Sequence, residues 1–413
     1  MQNEIVDHLF RHQYGKMVAI LTRFFGLSHI ETIEDAVQDT FIKATLQWRS
    51  QIPENPEAWL TKAAKNRTID LLRKVKAEQN RLDKLVSGPA THQLNEMFLD
   101  HEIEDNQLRM IFVACHPILH PKEQIAFALK TISGFSTKEI ASALLTKDES
   151  IKKRLSRARK LIAIKKIEFE FPEASELDNR LSRVMEVLYL TFNEGFHSGN
   201  KNQLIRTDLC AEAMRLCQLL LKKEQFRSGA LYALYALMCF HAARLDSKTN
   251  AKNEIIDIQH QDRSKWHWPL INLGNSLMNK AMNYKGMSVY HYQAAIAAEH
   301  LKAPHFRHTN WTKILHWYSL LNAMQPSPFG DLNKALVFVQ LNEIDLALQL
   351  LNTITPQDLE QRAYLLNGAY ASLYEKSGDK NMAISYLEKA INSVKNDLEK
   401  SYLVQKKENL LAT

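Results

Sequence analysis

The sequence predicts an all-α chain, and three observations predict it. Glycine and proline are scarce, at 12 and 11 in 413 residues, while Leu, Ala, Lys and Glu are plentiful. Apolar residues recur at helical spacing over most of the length. Helix-start signals also stand where those apolar patterns begin. A hydrophobic content of 45% against 24% charged residues is ordinary for a soluble globular protein, and this length forms two or three domains. Composition divides the chain into a helical unit over 1–76, a polar linker over 77–104 and a second helical unit over 105–167. A short acidic linker over 168–180 and a helical region over 181–413 complete it.

The first unit contains "TIEDAVQDTFIKATLQW" (32–48), an amphipathic helix with Ile33, Ala36, Val37, Phe41 and Ala44 inward. Its outward face is read as Glu34, Asp35, Gln38 and Asp39. Asn55-Pro56 then reads as an N-cap followed by proline at the first helical position. The helix it opens, "PEAWLTKAAKNRTIDLLRK" (56–74), carries Lys62, Lys65, Asn66 and Arg67. Cations along a backbone and amide side chains for unstacked bases are what a single nucleic-acid strand requires. Trp59 fits either a stacking platform or the core.

The second unit holds most of the excess charge. Nine Lys or Arg between Lys147 and Ile167 face only Asp148 and Glu149, so this stretch alone matches the net charge of +7 for the whole chain. One local basic patch points to a polyanionic partner. Ser136 with Glu139, and Thr146 with Glu149, read as two capping boxes opening successive helices. Ile140, Ala141 and Leu144 face inward from the first, and Ile151, Leu155, Ala158 and Ile162 from the second. The result is a helix-turn-helix whose second helix reads the major groove. Its outer face presents Ser150, Lys152, Lys153, Arg154, Arg157 and Lys160 for phosphates and base edges. A merely solvated basic face is the plain alternative.

These residues also carry a resemblance. "GFSTKEIASALLTKDESIKKRLSRARKLI" resembles region 4 of bacterial extracytoplasmic-function sigma factors through Gly134, Ser136, Glu139, Ile140, Ala141, Ser150, Ile151, Arg154, Leu155, Arg157, Ala158 and Arg159. Leu145 departs from it, standing where many members have glycine in the turn. Asp35, Val37, Gln38 and Phe41 resemble the D-x-V-Q-x-x-F of sigma region 2, and Trp59, Leu60, Ala64, Asn66, Asp70, Leu72 and Arg73 match its next helix. The resemblance implies that Asp35, Gln38 and Asp39 bind core RNA polymerase at its clamp helices, with a further contact at the flap. It implies that Gln51, Asn55, Lys62, Lys65, Asn66 and Arg67 hold the melted −10 element of promoter DNA, and that the basic helix reads the −35 element.

The C-terminal region reads as a helical array. "LLNGAYASLYEKSGDKNMAISYLEKAINSV" (365–394) resembles one tetratricopeptide unit around a Gly378-Asp379 turn, with Ala369 and Ala383 small and Tyr370, Tyr374 and Tyr386 filling gaps. Leu332 to Ile354 reads as a degenerate preceding unit. "LYLTFNEGFHSG" (188–199), "DLCAEAMRLCQLLL" (208–221), "QDRSKW" (261–266), "YQAAIAAEH" (292–300) and "PSPFGDLNKAL" (326–336) look like signatures of an extension carried by one sigma subgroup. There the extension implies an intramolecular regulatory contact.

Other functions remain to be weighed. A helix-turn-helix regulator with a repeat-type sensor that never joins polymerase would need no Asp35, Gln38, Asp39 face. An enzyme housed in 181–413 has scattered Asn193, Glu194, His197, Asp262, Arg263 and His291, but no recognisable catalytic motif. No catalytic chemistry, cofactor or metal is therefore expected. Cys115, Cys210, Cys217 and Cys239 follow no metal spacing and read as buried reduced thiols. The N-terminus shows no signal-peptide pattern, and the apolar run Ala230 to Phe240 is shorter than the roughly 18 residues of a membrane span, so a cytoplasmic location is expected.

Overall fold

Helix propensity and amphipathic spacing agree along the chain, and the resulting architecture is helical throughout. The structure, a computed structural model, describes residues 2–48, 52–73, 100–144, 146–196, 205–250, 254–394 and 396–412. Eighteen α-helices and no strand form among the described residues. None of these helices is long and apolar enough to cross a membrane. The chain divides into two compact units, Met1–Thr191 and Phe192–Thr413.

The first unit contains α1 (Gln2–Phe25), α2 (Ile30–Gln47), α3 (Pro56–Arg73), α4 (Asp100–Ala114), α5 (Pro121–Thr131), α6 (Thr137–Ala143), α7 (Asp148–Ile164) and most of α8 (Leu177–Phe196). Residues 100–104 of α4 fall inside the stretch read as a linker. Tyr14, Val18, Ile20 and Leu21 of α1 form one core with Ile33 and Val37 of α2, Leu60 and Leu72 of α3, and Phe112 of α4. The inward residues read from the periodicity of α2 and α7 are all buried.

A seam joins the two halves of this unit through glycines. α1 lies so close to the end of α5 that a Cβ on Gly15 would fall 1.9 Å from the Ile132 carbonyl oxygen. Gly134 adopts φ +71°, and a Cβ there would meet the Tyr14 ring at 2.8 Å. Both positions exclude side chains on contact grounds.

Of the two capping boxes, one forms. Ser136 N–H donates to Glu139 Oε2 at 2.8 Å, and Glu139 N–H donates to Ser136 Oγ at 3.2 Å. Thr146 does not cap α7, because the helix starts one residue later and Lys147 takes the N-cap position with no side-chain bond. Glu149 accepts instead from Lys152 Nζ at 2.9 Å.

The second unit runs through α9 (Thr207–Lys222), α10 (Gly229–Ala242), α11 (Trp268–Ala281), α12 (Val289–Lys302) and α13 (Trp311–Met324). It continues with α14 (Pro328–Gln340), α15 (Ile344–Leu351), α16 (Tyr364–Ser377), α17 (Lys380–Ser393) and α18 (Asp397–Ala412). Its packing is between neighbours. Leu366, Ala369 and Leu373 of α16 join Leu332, Ala335 and Val339 of α14, with Ala347 and Leu351 of α15. Tyr364 and Ala371 of the same helix join Leu387 and Ala390 of α17 and Leu403 of α18. One helix with two buried faces, each serving a different neighbour, is the signature of a repeat array. Gly378 ends α16 in the left-handed conformation at φ 86°, and the Asp379 side chain caps α17 by accepting from Met382 N–H at 3.0 Å. Tyr386 stacks on Tyr370 and Tyr374, with centroids 4.8 and 5.5 Å away.

All four cysteines are free and buried. Burial pushes the Cys115, Cys210 and Cys239 thiols up to about 12, which makes them inert hydrophobes. His116 Nδ1 accepts from Ile118 N–H at 3.2 Å, and His120 Nδ1 caps α5 by accepting from Lys122 N–H at 3.3 Å.

Two glycine substitutions separate close contact from backbone strain. Gly15→Ala should lower the stability of the first unit by about 1–3 kcal/mol through overpacking. Gly378→Ala meets nothing within 4 Å and should cost only the left-handed penalty of about 1–2 kcal/mol. Urea unfolding of each variant measures both, and a neutral Gly15→Ala would contradict the close approach.

Candidate nucleic-acid interface

The basic helix α7 sorts its residues by spacing. Ile151, Leu155, Ala158 and Ile162 are buried against α5 and α6, which turns the opposite face to solvent. Lys152, Lys153, Arg157 and Lys160 are exposed there, and Ser150 and Arg154 are half-buried at its edges. All six residues assigned to the −35 surface therefore lie on one helix, four of them fully outward. Lys153, Arg154 and Lys160 form no ion pair among the described residues. Lys152 pairs with Glu149, and Arg157 lies 3.8 Å from the carboxylate of Glu123.

Arg159 faces the other way. Its Nη1 donates to Glu31 Oε1 at 2.8 Å and its Nη2 donates to Glu34 Oε2 on α2. Glu34 is 1% exposed, although its place in the α2 pattern reads as outward. The correction has a plain cause: α7 covers that part of α2, so a position facing solvent on an isolated bundle becomes interior. Burial pushes the Glu34 carboxyl up, against the opposing pull of Arg159 and of Lys130. Burial also works against the charge on Arg159, but Glu34 and Glu31 hold its guanidinium above the ordinary range. A signal for this contact is present in the sequence, because Arg159 sits eight residues after Ile151, within the apolar stripe itself.

The remaining acidic face of α2 presents Asp35 exposed, with Gln38 and Asp39 half-buried. Partial burial and the neighbouring Glu31 raise Asp35 above the usual carboxylate range. Asp39 is engaged, its Oδ2 accepting from Arg67 Nε at 2.9 Å and Nη2 at 2.6 Å. Two residues assigned to different surfaces thus bind each other across the α2–α3 contact.

On α3, Asn55 Oδ1 accepts from Ala58 N–H at 3.0 Å, so its side chain caps the helix. Lys62 and Asn66 are exposed one turn apart, and Lys65 beside them is half-buried, with its pKa lowered by that burial. Trp59 is half-buried and packs edge-on against buried Trp48 at 5.4 Å, so core packing accounts for one side of its ring. Gln51 lies outside the described residues.

Comparison with known proteins gives three family matches. A model of sigma-70 region 2 matches residues 9–78, and a model of sigma-70 region 4 matches residues 109–162. A family of unknown function (DUF6596) matches residues 180–282. An uncharacterized protein of Rhizobium meliloti (strain 1021) is 30% identical over 397 residues, covering 95% of this chain and 92% of that one. No solved structure matches.

Removing one partner from a buried ion pair leaves the other uncompensated, which costs about 3–5 kcal/mol. Glu34→Ala should therefore destabilise the first unit by about 3 kcal/mol, whereas loss of exposed Glu31 should cost under about 1 kcal/mol. Replacing the pair together, Glu34→Leu with Arg159→Met, should recover most of the loss. Denaturant midpoints measure all three, and equal effects of the two single changes would contradict the buried pair.

Proposed function

Because this chain belongs to the sigma-70 family, in the extracytoplasmic-function-like form with a C-terminal extension, we propose how its surfaces divide the work of transcription initiation. The family's role is carried out through core RNA polymerase and promoter DNA, by domains that bind and do not make bonds. The observation that carries the reading is the joint presence of regions 2 and 4 on one chain. A DNA-binding regulator independent of polymerase has no use for region 2.

In this proposal residues 1–76 act as region 2, 105–167 as region 4 and 181–413 as the extension. Asp35, with Gln38 and Asp39, meets the clamp helices of core enzyme, and region 4 also meets the flap. Lys62, Lys65, Asn66 and Arg67, with Asn55 and Gln51, take the unstacked −10 strand. Melting costs a few kcal/mol per extruded base, and stacking and phosphate contacts to the released strand offset it. The outward face of α7 enters the major groove at −35. Support comes from the three cations there without acidic partners and from the exposure of Lys62 and Asn66 on α3.

The extension is assigned a regulatory role over these regions, through an intramolecular contact. Its first helix, α8, is the one in which the division between the two units falls. Run-off transcription with and without residues 192–413 tests this, and identical rates, unchanged when the separate extension is added back, would remove it.

Two further measurements test the surfaces. Asp35→Lys, at an exposed position where stability changes little, should abolish co-purification with core polymerase while leaving helicity intact. Normal co-purification would show that this face is not the polymerase contact. Lys153→Ala, near the groove-entering end of α7, should relax sequence preference at a cost of about 1–3 kcal/mol. Lys160→Ala should weaken binding to all sequences and lower the salt slope by about one. Equal losses on specific and random duplexes for both variants would erase the distinction.

A further inference from the structure

Four basic side chains meet inside the C-terminal unit. Arg244 and Lys248 follow the end of α10, Arg263 lies in the short turn before α11, and His300 closes α12. Each is held in place. Arg244 Nη1 donates to Gln261 Oε1 at 3.4 Å. The Lys248 ammonium donates to the Phe196 carbonyl and stands 3.4 Å from the centre of the Phe196 ring. Arg263 lies 4.4 Å over Trp266, and its Nη1 donates to the His300 carbonyl at 2.8 Å.

None of the three cations forms an ion pair among the described residues, and several acids of this unit have other partners. Asp246 is exposed. Asp257 accepts from the Tyr402 hydroxyl at 3.0 Å and pairs with His260. Asp262 accepts from Ser264, and Glu299 pairs with Lys302 at 2.9 Å. Two donor-capable atoms of these residues, Arg263 Nη2 and His300 Nδ1, are buried with no hydrogen-bond partner among the described residues.

Gathering cations away from water without a counter-charge is costly, because each loses hydration and repels the others. Each group holds its proton less tightly as a result. Burial, with Arg244 beside it, pushes Lys248 down to about 7, and burial with Arg263 lowers Arg244 to about 10. Burial, Arg244 and Arg263 together push His300 down to about 4. A guanidinium fork, a second guanidinium and an ammonium around unfilled donors match the geometry of an oxyanion.

We propose that this cluster is a binding site for a small soluble molecule bearing a phosphate or carboxylate group. Arg244, Lys248 and Arg263 neutralise the oxyanion, while the rings of Phe196 and Trp266 wall the site. All four basic residues are half-buried, each keeping part of its surface in solvent. Three segments singled out in the sequence converge here: "LYLTFNEGFHSG" supplies Phe196, "QDRSKW" supplies Gln261, Arg263 and Trp266, and "YQAAIAAEH" supplies His300. The inference rests on residues 192–413 alone and stands or falls independently of the initiation reading.

Equilibrium dialysis of the intact chain against labelled inorganic phosphate, and separately against labelled succinate, at constant ionic strength tests it. One saturable site per chain for at least one of the two anions is expected. Lys248→Met and Arg244→Gln should each weaken that binding by about tenfold or more, while Lys376→Ala, at an exposed position on α16, leaves it unchanged. In anion-free buffer Lys248→Met should unfold no earlier than the native chain, since it removes an uncompensated cation. Absence of saturable binding for both anions, or binding that survives both substitutions, overturns the proposal. Displacement of the bound anion by duplex DNA would assign the cluster to a nucleic-acid backbone and overturn it equally.

Discussion

The contact between Arg159 of α7 and Glu34 of α2 fixes the arrangement of the N-terminal unit. Glu34 is almost wholly enclosed, its Oε1 has no partner, and Arg159 Nε has none either. An incompletely satisfied buried pair adds little net stability, but it strongly penalises any other placement of either charge. With Arg159 directed inward, the helical repeat sends Lys153, Arg157 and Lys160 outward. With Glu34 covered, Asp35 becomes the exposed acid of α2. The close approaches at Gly15 and Gly134 reinforce the same seam at Tyr14, whose buried phenol lies within electrostatic reach of Glu34 and Arg159. The surfaces assigned to DNA and to polymerase are consequences of this one packing choice.

Much of this arrangement is legible in the amino-acid sequence alone. The apolar stripe of α7, the inner face of α2, the Ser136–Glu139 cap and the Gly378–Asp379 turn all follow from local spacing and local hydrogen bonding, and they form as read. Contacts between residues distant in sequence are not legible in that way. Nothing in the α2 pattern distinguishes Glu34 from Asp35, since both are acids on a polar arc, and only the arrival of α7 separates them. The pairing of Asp39 with Arg67 is hidden for the same reason. Thr146 shows the limit of short motifs, because a one-residue shift in the helix start sends Glu149 to Lys152 instead.

The C-terminal unit follows a different rule. Its helices bury faces mostly against neighbours, as α16 does with α14 and α15 on one side and α17 and α18 on the other, so its stability is built largely from local interfaces. Such an array tolerates an awkward interior feature in one place without collapse elsewhere. The gathering of Arg244, Lys248, Arg263 and His300 is a feature of that kind: each residue is positioned by carbonyls and rings, and together they lack a counter-charge among the described residues. In the sequence Arg244 and Lys248 stand four apart, but Arg263 and His300 lie further along, and no local pattern joins the four.

The central claim, that the chain acts as a sigma factor through regions 2 and 4, is tested most directly by mapping RNA 5′ ends. Core polymerase would transcribe genomic DNA in vitro with and without the purified chain. The account predicts new start sites that depend on the chain and share two upstream sequence elements at a fixed separation. A set of start sites identical with and without the chain would contradict it.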